Sequence, residues 1–473
     1  MMLTKSDFLL YLECPLHLWA KKHDLIQNTT PSDFDQFTMR QGQQAEKIAI
    51  QYLSDRFLDV GMKGASYQSQ PTFTDGGFRA RVDAVIINHD LNKAALYEVK
   101  SPTKVKKEHL YDVTFQFLVA NATTPISHMY LVHLNPEYIY DVSYDMSKLF
   151  LIDDVTDQCR KLAAEVDELR TTALAQINQF TPDGIAHCYS PKKCPCPELC
   201  HPQLSPQSIY TLRNISHQKA DELLAMDVTT IRAIPAGFNL SHFQHKQTQA
   251  IQENKALINL PAIQASLAKL TYPLYFLDYE TCISALPLYT GYHPQQQMVF
   301  QYSLHAMTEA GQLTHSEYLA DRRGDPAGEL VKHLRSQIGD RGSVIVWNKS
   351  FEGGRHVELA GMYPEYSNFL LDLNHRMYDL ADVFKHGDYL DPKFEGSWSI
   401  KKVLPVLVPE LGYQDLIIGE GGLAMLTWWE MISAGESISQ DAMSDIKQNL
   451  LQYCQRDTQA MVEIWKYLKR LTG

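Results

Sequence analysis

The sequence of 473 residues lacks any apolar run long enough to span a bilayer. It also lacks the features of a signal peptide, because Asp7 and Glu13 interrupt the first apolar stretch and no small-residue cleavage site follows. We therefore expect a cytoplasmic chain with no membrane partner. In a reducing compartment, the eight cysteines are expected to be thiols or metal ligands rather than disulfides.

The sequence has no excess of basic residues. It contains 43 Lys and Arg against 55 Asp and Glu, which gives a net charge of −12 at pH 7. Proteins that coat nucleic acid are usually basic, because neutralising phosphates supplies most of their affinity. An enzyme that holds a strand near metal ions tolerates an acidic balance, since bound cations offset carboxylates locally. The charge therefore argues against a non-specific binding scaffold more than against an enzyme acting on phosphodiesters.

No internal repeat and no low-complexity tract is present, and the length fits two or three domains. In the first part of the chain, apolar periodicity predicts helices over residues 3–60, with a restart at Pro15. Alternating β-branched residues predict a hairpin, with strands over 79–87 and 94–100 and a turn at 88–90. The pattern continues with a helix over 106–121, a strand over 128–134, a helix over 158–180 and a loop rich in cysteine and proline over 188–202.

The rest of the chain begins with a polar helical stretch over 205–270, broken at Pro235 and Pro261. Strands are predicted over 274–279, 298–307 and 343–347, and helices over 350–361, 399–406 and 441–470. Residues 396–401 look like a helix start with a side-chain cap. This mixture predicts an α/β fold class for the whole chain.

A first acidic set lies on the predicted hairpin. Glu98 and Lys100 are two residues apart on a strand, so both side chains point to one face. Asp83 lies on the partner strand, where cross-strand neighbours have Cβ atoms about 5 Å apart. Two carboxylates can hold hydrated Mg²⁺ or Mn²⁺, and Lys100 can orient the attacking water or steady developing charge. Taken alone, this spacing is common and favours an ordinary surface hairpin with a Glu/Lys pair.

The cysteines form a second feature. Cys188, Cys194, Cys196 and Cys200 fall close together, and Cys14 stands apart in a Cys-Pro pair. Paired C-x₂-C knuckles, which are typical of zinc ribbons, are missing, whereas iron–sulfur clusters accept thiolates at irregular spacings. Zinc stays open, with a nearby histidine as a substitute ligand, and so does a loop of free thiols. The histidines in question are His187 and His201; the remaining cysteines, Cys159, Cys282 and Cys454, are expected to be small buried residues.

Together these motifs resemble RecB-like nucleases of the PD-(D/E)XK class that carry a four-cysteine iron–sulfur cluster, and the resemblance covers the first 205 residues. It implies that Asp83, Glu98 and Lys100 are catalytic and that Gln116 is the helix glutamine of that class. Glu46 takes the early helical position that is often histidine in these nucleases. The implied ligands of a 4Fe–4S cluster are Cys14, Cys188, Cys194 and Cys200. The extra thiol of Cys196 leaves the choice between Cys194 and Cys196 open.

A second acidic set lies in the C-terminal part of the chain. Asp278 and Glu280 share one face of a predicted strand, and Tyr453 and Asp457 share one face of a predicted helix. Such pairs can close around two metals about 4 Å apart. Tyr453 would then position or deprotonate the attacking water. Asp-x-Glu alone is common by chance, so the order of the three motifs matters.

This order resembles the DEDDy branch of ribonuclease H-like 3′–5′ exonucleases. The middle motif, which starts at Asn348, normally ends in aspartate, and this chain has Glu352, with Asp379 and Asp382 as alternative donors. The whole chain resembles an uncharacterised bacterial family that fuses a RecB-like nuclease to a DEDDy-type exonuclease. The resemblance implies a nuclease domain over 1–205, a helical linker module over 206–270 and a ribonuclease H-like domain over 271–473.

The sequence thus predicts a metal-dependent enzyme that hydrolyses phosphodiester bonds, with DNA favoured over RNA as the nucleic-acid partner. The expected cofactors are Mg²⁺ or Mn²⁺ and the 4Fe–4S cluster. Two alternatives stay open. One is an RNA-processing exonuclease that uses only the C-terminal site. The other is a nucleic-acid-binding assembly factor whose nuclease sites have decayed, which the acidic charge and the changes at Glu46 and Glu352 would fit.

Overall fold

The computed structural model describes residues 1–26, 31–191, 194–202 and 204–473. Residues 27–30 of the helical region expected over 3–60, and residues 192–193 of the loop expected over 188–202, lie outside the described residues. The chain forms two compact units, one made of Met1–Leu204 with Ser284–Gln296 and the other of Ser205–Ile283 with Gln297–Gly473. The architecture is mixed α/β with several mixed sheets, as the sequence predicts.

The first unit contains a five-stranded sheet in the order β2-β5-β6-β7-β8 and a three-stranded sheet in the order β1-β4-β3. Strands β6 and β7 are parallel, and the other pairs of the larger sheet are antiparallel. The elements are β1 (Leu3–Thr4), α1 (Lys5–Glu13), α2 (Pro15–Lys22), α3 (Asp33–Val60), β2 (Ala65–Ser69), β3 (Thr72–Asp75), β4 (Phe78–Arg81), β5 (Ala84–Asn88), β6 (Lys93–Lys100), α4 (Lys107–Ala120), β7 (Ile126–Leu134), α5 (Met146–Leu149), β8 (Phe150–Asp154), α6 (Thr156–Ile177) and α7 (Pro197–Cys200).

The single strand expected over 79–87 is wrong, because the chain changes sheet there. β4 pairs with β1 and β3, whereas β5 pairs with β2 and β6. At the junction, the Val82 amide donates to the Pro71 carbonyl at 3.0 Å, and the Gln70 amide donates to the Asp83 carbonyl at 2.9 Å. Asp83 therefore lies just before β5 and beside the end of β6, where Ala84 pairs with Tyr97.

Helices α1 and α4 position the polar residues of this unit. A capping box starts α1, since the Thr4 side chain accepts from the Asp7 amide and the Asp7 side chain accepts from the Thr4 amide. The first residue after this cap is Lys5. Phe8 of α1 stacks on Phe115 of α4 with ring centroids 5.0 Å apart in a buried apolar cluster. This packing fixes the two helices against each other.

The second unit contains a five-stranded sheet in the order β12-β11-β10-β13-β14, with β11 antiparallel to its neighbours and β13 and β14 parallel to β10. A small sheet pairs β15 with β9. The elements are α8 (His217–Ala225), α9 (His242–Glu253), β9 (Leu257–Ile258), α10 (Leu260–Leu267), β10 (Leu274–Ile283), β11 (Gln297–Met307), β12 (Leu313–Leu319), α11 (Ala327–Gln337), β13 (Ser343–Val346), α12 (Lys349–Met362), α13 (Ser367–His375), β14 (Met377–Asp379), α14 (Asp382–Lys385), β15 (Tyr389–Leu390), α15 (Ile400–Leu407), α16 (Gly421–Ala434) and α17 (Gln440–Thr472).

Both faces of β10 are covered. Tyr275, Leu277 and Tyr279 pack into the apolar cluster that includes α11. The alternate residues face α17, and Phe276 meets Trp465 of that helix with ring centroids 6.2 Å apart. Since side chains alternate along a strand, Asp278 and Glu280 share this second face. A buried strand thus presents two acidic groups to the longest helix of the unit.

Candidate functional site

The first acidic set lines a cleft of about 410 Å³, here called the N-terminal cleft. The Val99 amide donates to Asp83 Oδ2 at 2.8 Å, which holds this carboxylate against β6. Asp83 and Glu98 are 5% and 1% exposed, so both are buried at the base of the cleft. The lining residues are Thr4, Lys5, Ser6, Glu46, Arg79, Arg81, Asp83, Glu98, Val99 and Lys100.

Two ammonium groups and a further carboxylate complete this site. Lys100 Nζ donates to Glu98 Oε1 at 2.8 Å and also to Asp112 of α4. Lys5 Nζ donates to the same Glu98 oxygen at 2.7 Å. Gln116 Nε2 donates to Glu98 Oε2 at 2.9 Å and to Asp112 Oδ1 at 2.8 Å, so the expected glutamine lies in the site. Lys5 and Asp112 carry no signal in the sequence that links them to Glu98.

The carboxylates of the N-terminal cleft differ in their protonation. Burial and the Glu98 carboxylate raise the pKa of Asp83 to about 8, although Lys5 opposes this shift. Burial disfavours ionisation of Glu98, yet Lys100 and Lys5 outweigh it and hold the pKa of Glu98 well below its usual range. Burial and Glu98 raise the pKa of Asp112. Around neutral pH Glu98 is therefore an ionised carboxylate, whereas Asp83 is mostly a protonated carboxyl group that a bound cation could deprotonate.

Glu46 lines the cleft from α3, and its Oε1 accepts a hydrogen bond from Gln70 Nε2 at 2.9 Å. Its carboxylate adds a smaller contribution to the raised pKa of Asp83. Arg79 and Arg81 of β4 also line the cleft, and both residues are exposed. The cleft thus combines buried acids with guanidinium groups, which match phosphate geometry.

The cysteine cluster comprises Cys14, Cys188, Cys194, Cys196 and Cys200, all free thiols. Cys14 Sγ lies 4.0 Å from Cys200 Sγ, and Cys196 Sγ lies 3.6 Å from Cys200 Sγ and 3.8 Å from Cys194 Sγ. Two groups could hold a metal ion: Cys14 with Cys188 and Cys200, and Cys194 with Cys196 and Cys200. The structure therefore brings the four expected ligands together, with Cys196 beside them.

Contacts across the cluster link all five cysteines. Cys194 interacts with both Cys188 and Cys200, and Cys14 also interacts with both. Cys196 interacts with each of these four as well. The contact with Cys200 lowers the pKa of Cys14 to about 6 despite burial, and this favours the thiolate that a metal requires. His201 Nε2 lies 3.6 Å from Cys188 Sγ and is a further possible ligand.

The sulfur separations also test which metal group fits. Zinc–sulfur bonds of about 2.3 Å in a tetrahedron place the sulfurs about 3.8 Å apart. The contacts Cys14–Cys200, Cys196–Cys200 and Cys194–Cys196, at 4.0, 3.6 and 3.8 Å, match this spacing. In a 4Fe–4S cluster each thiolate binds a separate iron, so the sulfurs lie farther apart. The sulfurs that could share one ion form two groups of three with Cys200 in common, so the five thiols fit either metal group chemically.

The second acidic set forms what we call the C-terminal acidic site, made of Asp278, Glu280, Glu352, Tyr453 and Asp457. Asp278 and Glu280 lie on β10, and α17 packs on this strand so that Tyr453 and Asp457 face it. A Cβ atom added at Gly421, the first residue of α16, would lie 3.8 Å from Glu280 Oε2 and 3.9 Å from the Tyr453 hydroxyl oxygen. The strand pair and the helix pair therefore converge beside the start of α16.

Two residues that the sequence did not indicate contact this site. Tyr413 donates its hydroxyl hydrogen to Asp457 Oδ1. Lys401 Nζ donates to the Tyr453 hydroxyl oxygen at 3.2 Å and to the Gly419 carbonyl at 2.7 Å. The side-chain cap expected near residue 399 is wrong, because the Ser399 side chain makes no capping hydrogen bond at the start of α15. The segment instead contributes the ammonium group of Lys401.

Glu352 occupies the position of the middle motif. It lies in the first turn of α12, is 3% exposed, and its Oε2 has no hydrogen-bond partner among the described residues. Asp379, considered as an alternative donor, accepts from the Lys349 and Ala381 amides and from Lys385 Nζ. Asp379 is thus already satisfied, whereas Glu352 keeps a free oxygen.

Burial and mutual repulsion control protonation at the C-terminal acidic site. Burial and the Asp457 carboxylate raise the pKa values of Asp278 and Glu280 well above their usual range. Burial raises the pKa of Glu352 to about 8 and that of Asp457 to about 6. Burial and Asp457 also raise the pKa of Tyr453, so its hydroxyl stays protonated and can donate a hydrogen bond. A set of crowded buried carboxylates is the arrangement that divalent cations stabilise.

Cys454 was expected to be an isolated, small buried residue, and it is buried but not isolated. Its Sγ lies 3.8 Å from Asp278 Oδ2, and it forms a group with Asp278 and Glu280 that could hold a metal ion. Cys159 and Cys282 are buried, as expected.

Among the described helices, none is both long enough and apolar enough to cross a bilayer.

Comparison with known proteins gives relatives without assigned roles. A domain of unknown function, DUF2779, matches residues 275–399. Uncharacterized protein UU173 of Ureaplasma parvum serovar 3 is 27% identical over 271 residues, which cover 53% of this chain and 37% of that protein. The uncharacterized protein MG366 homolog of Mycoplasma pneumoniae is 27% identical over 251 residues, covering 49% of this chain and 37% of that protein. The matched part thus spans little more than a third of each relative.

Two solved structures are also similar in part. An alkaline exonuclease (LHK-Exo) from Laribacter hongkongensis aligns with 37% of this chain and 89% of its own, with 15% identity and a TM-score of 0.25. The structure of SSO0001 aligns with 43% of this chain and 87% of its own, with 13% identity and a TM-score of 0.24. At these TM-scores the likeness assigns no function to this chain.

Proposed function

We propose that this protein is a metal-dependent nuclease with two separate phosphodiester-hydrolysing sites, one in each compact unit. One observation carries the proposal. Acidic residues far apart in the sequence meet in two buried sets, each beside a lysine, and one of these carboxylates, Glu352, has an oxygen with no partner among the described residues. Buried carboxylates without enough cations are unfavourable, and divalent metals are the usual solution.

At the N-terminal cleft, Asp83 and Glu98 would hold Mg²⁺ or Mn²⁺. The bound ion would lower the pKa of its water and polarise the phosphoryl oxygen. Lys100, which is held between Glu98 and Asp112, would donate to the attacking water or to the developing negative charge. Arg79 and Arg81 would bind the flanking phosphates and hold the strand against the cleft.

At the C-terminal acidic site, Asp278, Glu280, Glu352 and Asp457 would hold divalent cations that activate water and stabilise the leaving oxygen. Tyr453 would position the attacking water as a hydrogen-bond donor, because its raised pKa keeps the hydroxyl protonated. Lys401 contacts the Tyr453 oxygen and would fix its orientation. This set supports trimming of nucleic acid from a 3′ end, as the resemblance implies.

The domain division at 1–205, 206–270 and 271–473 remains part of this proposal, with DNA as the favoured substrate. The cysteine cluster would hold a structural metal group that joins Cys14 to the segment containing Cys188–Cys200. That group would be zinc or the 4Fe–4S cluster that the resemblance implies. Elemental analysis of anaerobically purified protein separates the two.

The proposal is tested with end-labelled single-stranded DNA and RNA of one sequence, in Mg²⁺ and in Mn²⁺. Asp83→Asn and Asp278→Asn should each remove one cleavage pattern and leave the other, and the double variant should cleave neither substrate. Asp75→Asn and Asp340→Asn are matched controls, because both side chains lie outside the two acidic sets. Unchanged cleavage by the double variant would overturn the proposal. Activity on RNA alone, lost in Asp278→Asn, would indicate the RNA-processing alternative.

A further inference from the structure

Cys454 lies within the C-terminal acidic site, between Tyr453 and Asp457 on α17. Its side chain is 0% exposed, and its sulfur lies 3.8 Å from Asp278 Oδ2 and 3.8 Å from the Asp278 carbonyl oxygen. The sulfur and one carboxylate oxygen from each of Asp278 and Glu280 all lie within 4.8 Å of one another. Neither Mg²⁺ coordination nor water activation by Tyr453 uses this thiol.

We propose that Cys454, Asp278 and Glu280 form a binding site for a thiophilic divalent cation, Zn²⁺ or Cd²⁺, and that its occupation inhibits the C-terminal site. The inhibition clause rests on the proposed nuclease function, whereas the binding clause rests on the three side chains alone. The Cys454 sulfur determines which class of metal ion binds, since thiolates select zinc-like ions over magnesium.

The distances fit one small tetrahedral ion. Zinc–sulfur bonds of about 2.3 Å and zinc–oxygen bonds of about 2.1 Å place a sulfur and an oxygen about 3.6 Å apart in a tetrahedron. The separation between Cys454 Sγ and Asp278 Oδ2 is 3.8 Å, which is close to this value without rearrangement. Glu280 supplies a second oxygen, within 4.8 Å of both of these atoms. A fourth position would be left for water or a substrate oxygen.

Magnesium would not use this arrangement in the same way. It requires octahedral oxygen ligands at about 2.0–2.1 Å and does not favour sulfur. A zinc-like ion would bind with release of the thiol proton to solvent and would be retained by the sulfur. It would then occupy the two carboxylates, Asp278 and Glu280, that the activating cation needs. Excess Mg²⁺ would therefore displace it poorly.

A purely structural role for Cys454 is the competing interpretation, and Cys282 provides the comparison. Cys282 is another fully buried cysteine, on the same strand as Asp278. Its sulfur donates to the Ile283 carbonyl at 3.9 Å and, within the part of the chain that the structure describes, belongs to no group that could hold a metal ion. If burial alone explained Cys454, the two cysteines should behave alike toward thiophilic cations. The proposal requires them to differ.

The experiment titrates the full chain with Cd²⁺ under anaerobic conditions and follows the sulfur-to-cadmium charge-transfer absorbance. The cysteine cluster contributes equally in all variants, so the difference between them reports Cys454. Cys454→Ser should lose about one cadmium–thiolate bond per chain, while Cys282→Ser should match the parent. Asp278→Asn keeps the thiol and should weaken the same site, because losing even a group that supports a ligand costs about 10–100-fold in metal affinity.

A second arm measures 3′ trimming in an Asp83→Asn background at saturating Mg²⁺ while Cd²⁺ or Zn²⁺ is added. Cys454→Ser should raise the inhibitory concentration at least about tenfold, and Cys282→Ser should leave it unchanged. Equal absorbance and equal inhibition in all variants would overturn the proposal. If no 3′ trimming exists, the absorbance arm still decides the metal site, and only the nuclease function is lost. Asp278→Asn serves the same purpose if Cys454→Ser does not fold.

Discussion

Cation binding at the N-terminal cleft should depend on pH through Asp83. Burial and Glu98 raise the pKa of Asp83 to about 8, so at pH 7 about nine-tenths of the metal-free chains carry a proton there. A cation that binds this carboxylate must displace the proton. Binding at pH 7 should therefore release about 0.9 proton, and the affinity should rise about tenfold per pH unit until about pH 8.

The assay uses the Asp278→Asn variant, so that cleavage reports the N-terminal cleft alone. The half-saturating Mn²⁺ concentration is measured between about pH 6 and about pH 9, where the expected slope should end near the Asp83 pKa. Calorimetry in two buffers of different ionisation enthalpy counts the released protons. A half-saturating concentration that does not change with pH, or binding without proton release at pH 7, would refute the reasoning.

The raised pKa of Asp83 also determines how the stability of the metal-free protein changes with pH. The pKa of Asp83 is raised on folding, so the folded chain holds a proton that the unfolded chain has lost between about pH 4 and about pH 8. The metal-free protein should therefore lose stability as pH rises through that window, by at most about 1.4 kcal/mol per pH unit from this group. The difference in denaturant unfolding between the parent and Asp83→Asn isolates the contribution of Asp83. A difference that grows in the opposite direction would contradict the assignment.

Two further predictions separate function from stability. Glu352→Gln should abolish 3′ trimming while keeping the melting temperature, because the carboxyl it replaces has a pKa of about 8, is mostly uncharged at neutral pH and has an oxygen without a hydrogen bond. Asp379→Asn should instead lower the free energy of unfolding by about 1–3 kcal/mol, because one of its two acceptor oxygens and the ion pair with Lys385 are lost. The reverse pattern in paired activity and urea measurements would exclude this division of roles. Cys14→Ser should reduce the zinc or iron content and the melting temperature, whereas Cys159→Ser, at a buried cysteine outside the cluster, should keep the metal content; equal metal content in both would count against a ligand role for Cys14.

The elements that hold the acidic residues could be predicted from the sequence, because each has a strong period. Asp278 and Glu280 follow the two-residue repeat of a strand, and Tyr453 and Asp457 follow the four-residue spacing of a helix face. These elements are β10 and α17, close to the expected ranges of 274–279 and 441–470. Periodicity states which side chains share a face, and the structure confirms that these faces meet.

The partners that join each site from remote segments could not be predicted. Lys5 contacts Glu98 across 93 positions, and Tyr413 contacts Asp457 across 44. Neither residue has a distinctive neighbourhood in the sequence, since its role depends on where packing places α1 and the loop before α16. The change of sheet at Val82–Asp83 could not be predicted for a similar reason. Alternation of side chains continues while the backbone moves from one sheet to another.

These remote partners also distinguish the two sites by charge. In the N-terminal cleft, Glu98, Asp83 and Asp112 face the ammonium groups of Lys5 and Lys100. Without the exposed Arg79 and Arg81 and the Gln70-bonded Glu46, full ionisation of these five groups leaves about one negative charge to balance.

In the C-terminal acidic site, four carboxylates have one nearby ammonium group outside an ion pair, that of Lys401, within the described residues. Those carboxylates belong to Asp278, Glu280, Glu352 and Asp457. Lys385, Arg355 and Arg456 also act on these carboxylates, but each is paired with another acid, namely Asp379, Glu358 and Asp415 respectively. Because uncompensated buried charge is strongly unfavourable, the second site needs more added positive charge than the first. By this charge count, one divalent cation would balance the N-terminal cleft, whereas the C-terminal acidic site would accommodate two, as the proposed two-metal mechanism would require. Lys5 and Lys401, whose contacts could not be predicted from the sequence, would thus influence how many cations each site holds.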